Sequence, residues 1–163
     1  MIKSLVILFL LFFGYSFTQA QEVFIDRPQK RIMDSLFKIN YRRFNGQVTP
    51  DRNYIMGFQY DVLQDSAYMK KIQASGMGIV PLQDTIHTKN YSFLFDTYGI
   101  CISSTIFYNN LNDYQTVIEE LDSHYQNTYK EKIWIDSSRQ IEVIVTKNKL
   151  TRSFEVYYHK VKK

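Results

Sequence analysis

The chain has 163 residues, 45% hydrophobic and 16% aromatic, with 20 Lys and Arg against 16 Asp and Glu and a single cysteine. That length allows one real core but not two. The lone thiol excludes an intramolecular disulfide, and an excess of four positive charges is too small to argue for nucleic acid. Apolar burial must therefore hold the fold together, with the aromatic rings supplying much of the area.

Met1 to Ala20 carries one early lysine, Lys3, then an apolar run from Leu5 to Phe13, then small residues leading to Thr18-Gln19-Ala20. This pattern predicts a secretory signal peptide cleaved after Ala20, leaving a globular domain at 21–163 that is secreted or periplasmic. The run is shorter than the roughly 20 apolar residues needed to span a bilayer, which weighs against an uncleaved anchor. No cysteine follows it to carry a lipid, and no later segment reads as a membrane span. Loss of Lys3 leaves 19 positive against 16 negative charges. The positive ones gather in Arg27 to Arg43 and Lys147 to Lys163, patches that a solvated surface accounts for.

From Pro28 the apolar residues Ile32, Met33, Leu36, Phe37, Tyr41 and Phe44 recur at helical spacing, which predicts a helix closed by Asn45-Gly46. The same Asn-Gly pair also fits a hairpin turn between Arg43-Phe44 and Gln47-Val48. Val48 to Asn53, with Pro50, reads as a loop, and Tyr54 to Leu63 as a strand in which Gly57 marks a bulge or kink. Asp65 to Ser75 is expected to be a short helix ended by Gly76. Gly76-Met77-Gly78 is not a phosphate loop, because it follows a predicted helix and no Lys-Ser or Lys-Thr pair comes after it.

Tyr91 to Tyr108 alternates as a hairpin about Asp96-Thr97-Tyr98-Gly99, a type I turn closed by glycine. It delivers the chain to the stretch that organises the rest. Leu111, Tyr114, Val117, Ile118, Leu121, Tyr125 and Tyr129 form one apolar stripe, which predicts a helix over Asn112 to Tyr129 with Asn112 and Gln115 as a capping box. Three strands should follow, joined at Asp136-Ser137-Ser138-Arg139 and Lys147-Asn148-Lys149-Leu150. With two-residue loops, Trp134 falls opposite Ile141, Val143 opposite Phe154 and Ile141 opposite Val156. One face then collects Trp134, Ile141, Val143, Val145, Phe154, Val156 and Tyr158, and the helix stripe is expected to pack on it. The same register sets Glu142 against Glu155, a like-charge pair that counts against it.

The expected fold is therefore α+β: a single domain with an antiparallel sheet, its C-terminal half ordered β-β-α-β-β-β. The central helix covers one face, and one or two further helices come from the N-terminal half. The chemistry is sparse. Cys101 sits among isoleucines and serines with no protease signature, and a structural thiol is the better reading. His87, His124 and His159 are widely spaced, so no zinc motif forms, and no cofactor motif is present. Glu119, Glu120 and Asp122 splay around a helix rather than face one another across a substrate. Ser103-Ser104-Thr105 lacks the glycines of a nucleophile elbow, and the glycosylation triplet Asn90-Tyr91-Ser92 needs a eukaryotic route. What remains is tyrosine: Tyr91, Tyr98, Tyr108 and Tyr157 lie on or beside predicted strands and are the candidate binding residues, with core filling as the alternative. The leading expectation is a non-catalytic binding module whose partner is another protein or a cell-envelope component. Behind it stand a hydrolase or transferase using Cys101 or His124, and a structural component of the envelope.

Overall fold

A computed structural model describes residues 24–61, 70, 89–128, 130 and 132–161. The expected signal peptide, the expected helix Asp65–Ser75 except for Lys70, which is helical, the Gly76-Met77-Gly78 stretch and His87 lie outside them.

Among the described residues two helices and eight strands can be traced in full, as α1 (Gln29–Phe37), β1 (Tyr41–Val48), β2 (Tyr54–Tyr60), β3 (Lys89–Phe95), β4 (Cys101–Tyr108), α2 (Tyr114–His124), β5 (Gln126–Asn127), β6 (Ile133–Asp136), β7 (Ile141–Asn148) and β8 (Ser153–Lys160). All eight strands join one sheet in the order β1-β2-β3-β4-β8-β7-β6-β5, every neighbour antiparallel. The described protein is thus mostly β with some helix. After β4 the chain leaves the middle of the sheet through α2, reaches the far edge at β5, and meanders back until β8 pairs with β4. No described helix is long and apolar enough to cross a membrane.

Helix α1 starts after Pro28, whose extended backbone (φ −63°, ψ 141°) suits a residue that cannot donate an N–H, and it buries Ile32 and Leu36. It stops at Phe37 rather than running to Phe44. Asn40 takes a left-handed conformation (φ 63°), which asparagine tolerates, and the next eight residues form β1, which pairs with β2. Tyr41, read from sequence as helical, is a strand residue whose ring meets Tyr60 at 5.5 Å and Tyr91 at 5.2 Å. Asn45-Gly46 is neither a helix cap nor a turn: it lies inside β1, just past a bulge between Arg43 and Asn45. The turn comes later, where Thr49 N–H donates to the Asn53 carbonyl at 2.8 Å.

In the β3–β4 hairpin, Asp96 Oδ1 accepts from the N–H of Tyr98 and of Ile100, both at 2.9 Å, and Gly99 supplies the positive φ of 76°. The segment before α1 is tied to this hairpin, because Asp26 N–H donates to Cys101 O and Cys101 N–H to Arg27 O.

Helix α2 is shorter than its stripe. Asp113 is the N-cap and makes no side-chain cap; Asn112 N–H instead donates to Asn110 Oδ1, and Gln115 reaches forward to Glu119. At the other end Tyr125 is already extended and Gln126-Asn127 pair with β6, so four strands follow the helix where three were expected. Tyr129 lies outside the described residues. Val117 and Leu121 are buried in one cluster with Trp134, Val143, Val156 and Tyr158. Tyr114 meets the ring of Phe154 edge-on at 5.2 Å, and Trp134 Nε1 donates to Asp122 at 2.8 Å.

Both C-terminal turns are longer than two residues, so both registers move. Trp134 lies opposite Val143, Val143 opposite Tyr158, Val145 opposite Val156 and Lys147 opposite Phe154. The shifts are by two and four positions, and an even slip leaves every side chain on its own face. The expected apolar set is accordingly buried in full. The new register also removes the like-charge pair: Glu142 now faces His159, and Glu155 faces Thr146.

Candidate binding face

Sheet alternation gives the two faces different fates. Residues such as Phe58, Phe93, Ile106, Val156 and Val143 point to the buried, covered face, where Phe37 of α1 meets Phe58 at 6.0 Å and Tyr114 of α2 meets Phe154 at 5.2 Å. The opposite face carries Ile55, Leu94, Thr105, Phe107, Tyr157, His159, Glu142 and Ile144, nearly all only partly buried, and neither described helix lies against it.

At the end where β4, β8 and β7 run together, this face forms an open groove of about 480 Å³. One row across its floor is Phe107, Glu155 and Thr146, which are cross-strand neighbours; the next is Ser153 and Asn148, with Asn109 just beyond β4. The volume lies in the range that holds a small ligand, roughly 300–1,000 Å³. The rim is held in shape. Asn148 Oδ1 accepts from the N–H groups of Leu150 and Thr151 at 3.0 and 3.2 Å, and the hydroxyls of Thr151 and Ser153 share a hydrogen bond. Phe107, 37% exposed, is its exposed aromatic, the buried Tyr108 and Phe154 also line it, and hydroxyls, amides and one carboxylate complete it without a lysine or arginine. Such a lining can stack on a ring or sugar face and hydrogen-bond to hydroxyl groups.

Nearer the middle of the same face, Ser103, His159 and Glu142 form a row across β4, β8 and β7. His159 Nε2 lies 3.2 Å from Glu142 Oε2, and its ring stacks on Tyr157 at 5.1 Å. Its Nδ1 is buried and has no hydrogen-bond partner among the described residues. No hydrogen bond joins Ser103 to His159 among the described residues, so the row is not assembled as a nucleophile and base. Nothing in sequence brings these three together; only the β4–β8–β7 register does.

The residues singled out from sequence fall in different places. Tyr91 and Tyr108 belong to the covered face: Tyr91 packs on Tyr41, and Tyr108 stacks on Phe154 at 4.2 Å, so both rings are committed to the core. Tyr98 is 89% exposed at the tip of the β3–β4 turn, and Tyr157 is half-buried on the open face. Cys101 is fully buried, its Sγ–H donating to the Ser103 carbonyl at 3.3 Å, and burial together with the Asp26 charge pushes its thiol up to about 12. A thiol held protonated in this way is a poor nucleophile at neutral pH. His124 is exposed at the end of α2, with Nδ1 2.8 Å from the Glu120 carbonyl and 2.7 Å from Ser123 Oγ. Neither Cys101 nor His124 lines the groove. Among the described residues no three His, Cys, Asp or Glu side chains gather as metal ligands.

Sequence reasoning missed Phe107, Thr146 and Glu155 as site residues. A large aromatic on the polar side of an alternating strand was the available signal for Phe107; nothing local pointed to the other two. Comparison with family models, with curated proteins and with solved structures finds no match to this chain.

Proposed function

We propose that the protein is an exported, non-catalytic binding module, secreted or periplasmic, that takes its ligand on the sheet face opposite the helices. The observation that carries this reading is the groove over Phe107, Thr146 and Glu155. Its aromatic, hydroxyl and amide lining, free of cations, suits an uncharged hydroxyl-rich group such as a neutral glycan of the cell envelope. Export is supported by the N-terminal pattern of Lys3, an apolar run and small residues before Ala20.

Two measurements test the reading. N-terminal sequencing of the protein recovered from the envelope or medium should begin at Gln21; recovery of a chain starting at Met1 would remove the export half. Neutral envelope oligosaccharides titrated into the labelled protein should shift the amide resonances of Phe107, Thr146 and Glu155. Phe107→Ala should weaken binding by about tenfold, the worth of one lost aromatic stacking contact. Shifts confined to α1 and α2, or an affinity indifferent to Phe107→Ala, would place the ligand elsewhere.

A further inference from the structure

The two edges of the sheet are unequal. One ends at β5, only two residues long, and brevity is a common way to blunt an edge. The other is β1, eight residues long, and after Tyr41 every residue of it is exposed. An antiparallel strand turns its backbone groups alternately toward and away from its partner. Asp61 N–H donates to the Asn40 carbonyl, and Thr49 N–H donates to that of Asn53, which fixes the inward phase at both ends of β1. Counting in from each end across the bulge, the backbone groups of Tyr41, Arg43, Gly46 and Val48 point outward. The two counts agree, because the extra residue at the bulge restores the phase.

The side chains around this edge are apolar and cationic. Phe44 is 52% and Val48 64% exposed, and Phe37 at the end of α1 and Ile39 between α1 and β1 are exposed as well. Phe44 lies over Gly57 of β2, where a side chain would collide with its ring, so the aromatic is presented on the sheet's open face at the edge itself. Lys38, Arg43 and Arg52 run along the length of the strand and its turns, and none makes an ion pair among the described residues. Of the flanking carboxylates, Asp34 is paired with Lys30, and Asp61 is buried beside Arg42, leaving Asp51 in the turn.

We propose that β1 is a docking edge for an extended acidic segment of a partner protein, which adds to the sheet as a ninth strand. Main-chain hydrogen bonds to Tyr41, Arg43, Gly46 and Val48 supply the attachment. The cations choose the sign of the partner, and Phe44 and Val48 receive its apolar side chains on the two faces. The same charge argues against a second copy as occupant, because pairing β1 with itself brings two identical sets of cations together. This edge is separate from the groove over Phe107.

The test uses the mature full chain and two synthetic peptides of seven residues. One alternates glutamate with valine and phenylalanine; the other has lysine in place of glutamate. The acidic peptide should shift and protect from exchange the amides of Tyr41, Arg43, Gly46 and Val48, and its affinity should fall as salt rises. The lysine peptide should not bind. Arg43→Glu should lower the acidic peptide's affinity by about tenfold, since attraction is replaced by repulsion. Val48→Pro keeps every charge but removes an outward N–H at a position where an edge strand tolerates proline, and should weaken binding as well. Tryptophan emission reports whether each variant is folded. Phe107→Ala should leave peptide binding unchanged, which separates this edge from the groove. Equal affinity for both peptides, shifts located away from β1, or protection of the same amides by dimerisation without peptide would each overturn the proposal.

Discussion

The bond between Trp134 and Asp122 offers a direct measure of how α2 is held to the sheet. Trp134 is 1% exposed and is the chain's one tryptophan, so its emission reports on its own surroundings. Its Nε1–H donates to Asp122 Oδ1 at 2.8 Å, and the same oxygen accepts from Asn127 Nδ2 at 3.1 Å. One carboxylate on α2 therefore anchors both β5 and β6. Asp122→Ala leaves a buried indole N–H without its acceptor, a loss of about 1–3 kcal/mol in general. Asp122 itself is exposed, so water can partly replace it, and the expected cost is about 1–2 kcal/mol. For a domain of this size that is a drop of roughly 2–8 °C in Tm. Urea unfolding followed by tryptophan emission gives the free energy, and the native emission should move to longer wavelength. Asp122→Asn keeps an acceptor oxygen and should recover part of the loss. In a double-mutant cycle with Trp134→Phe, followed by circular dichroism because that variant has no tryptophan, the two changes should couple by at least about 0.5 kcal/mol. An Asp122→Ala cost below about 0.5 kcal/mol with unchanged emission would show that the bond does not anchor the helix.

Alkaline pH should unfold the protein, because burial raises the ionisation of Tyr41, Tyr158 and Cys101 above their unfolded values of 10.0, 10.0 and 9.0. A group whose folded pKa is raised stabilises the native state fully below its unfolded pKa, and that stability is lost as pH climbs. Once its unfolded counterpart has ionised, each group should remove about 1.4 kcal/mol per pH unit. Denaturant midpoints measured from pH 8 to pH 11 should fall beyond about pH 9, and a flat profile would mean that these side chains are hydrated. Cys101 should resist iodoacetamide at pH 8 in the native protein and react once the chain is unfolded in urea. Rapid modification of the folded protein would show an accessible thiol and reopen the reading in which Cys101 acts as a nucleophile.

Alternation with a period of two sorts side chains between faces without reference to where a turn closes, so the sequence alone placed Trp134, Ile141, Val143, Val145, Phe154, Val156 and Tyr158 together. It could not choose the register, since slips of two and four positions satisfy the same pattern equally well. The difference decided the open face, where Glu142 meets His159 instead of Glu155. The span from Pro28 to Phe44 shows a second limit. Its apolar spacing suits a helix throughout, but Tyr41 onward gains more by pairing with β2 and burying its ring against Tyr60 and Tyr91. Likewise the end of the α2 stripe was given up so that Gln126-Asn127 could extend the sheet. The sequence thus determined the helix that precedes the C-terminal strands, the β3–β4 turn and the apolar face, all of them local or periodic signals. The groove over Phe107 and the row through His159 join strands far apart in the chain, and β1 is an edge because the sheet order places it at one end. Only the order of the sheet, set by pairings that carry no local signature, brought them into being.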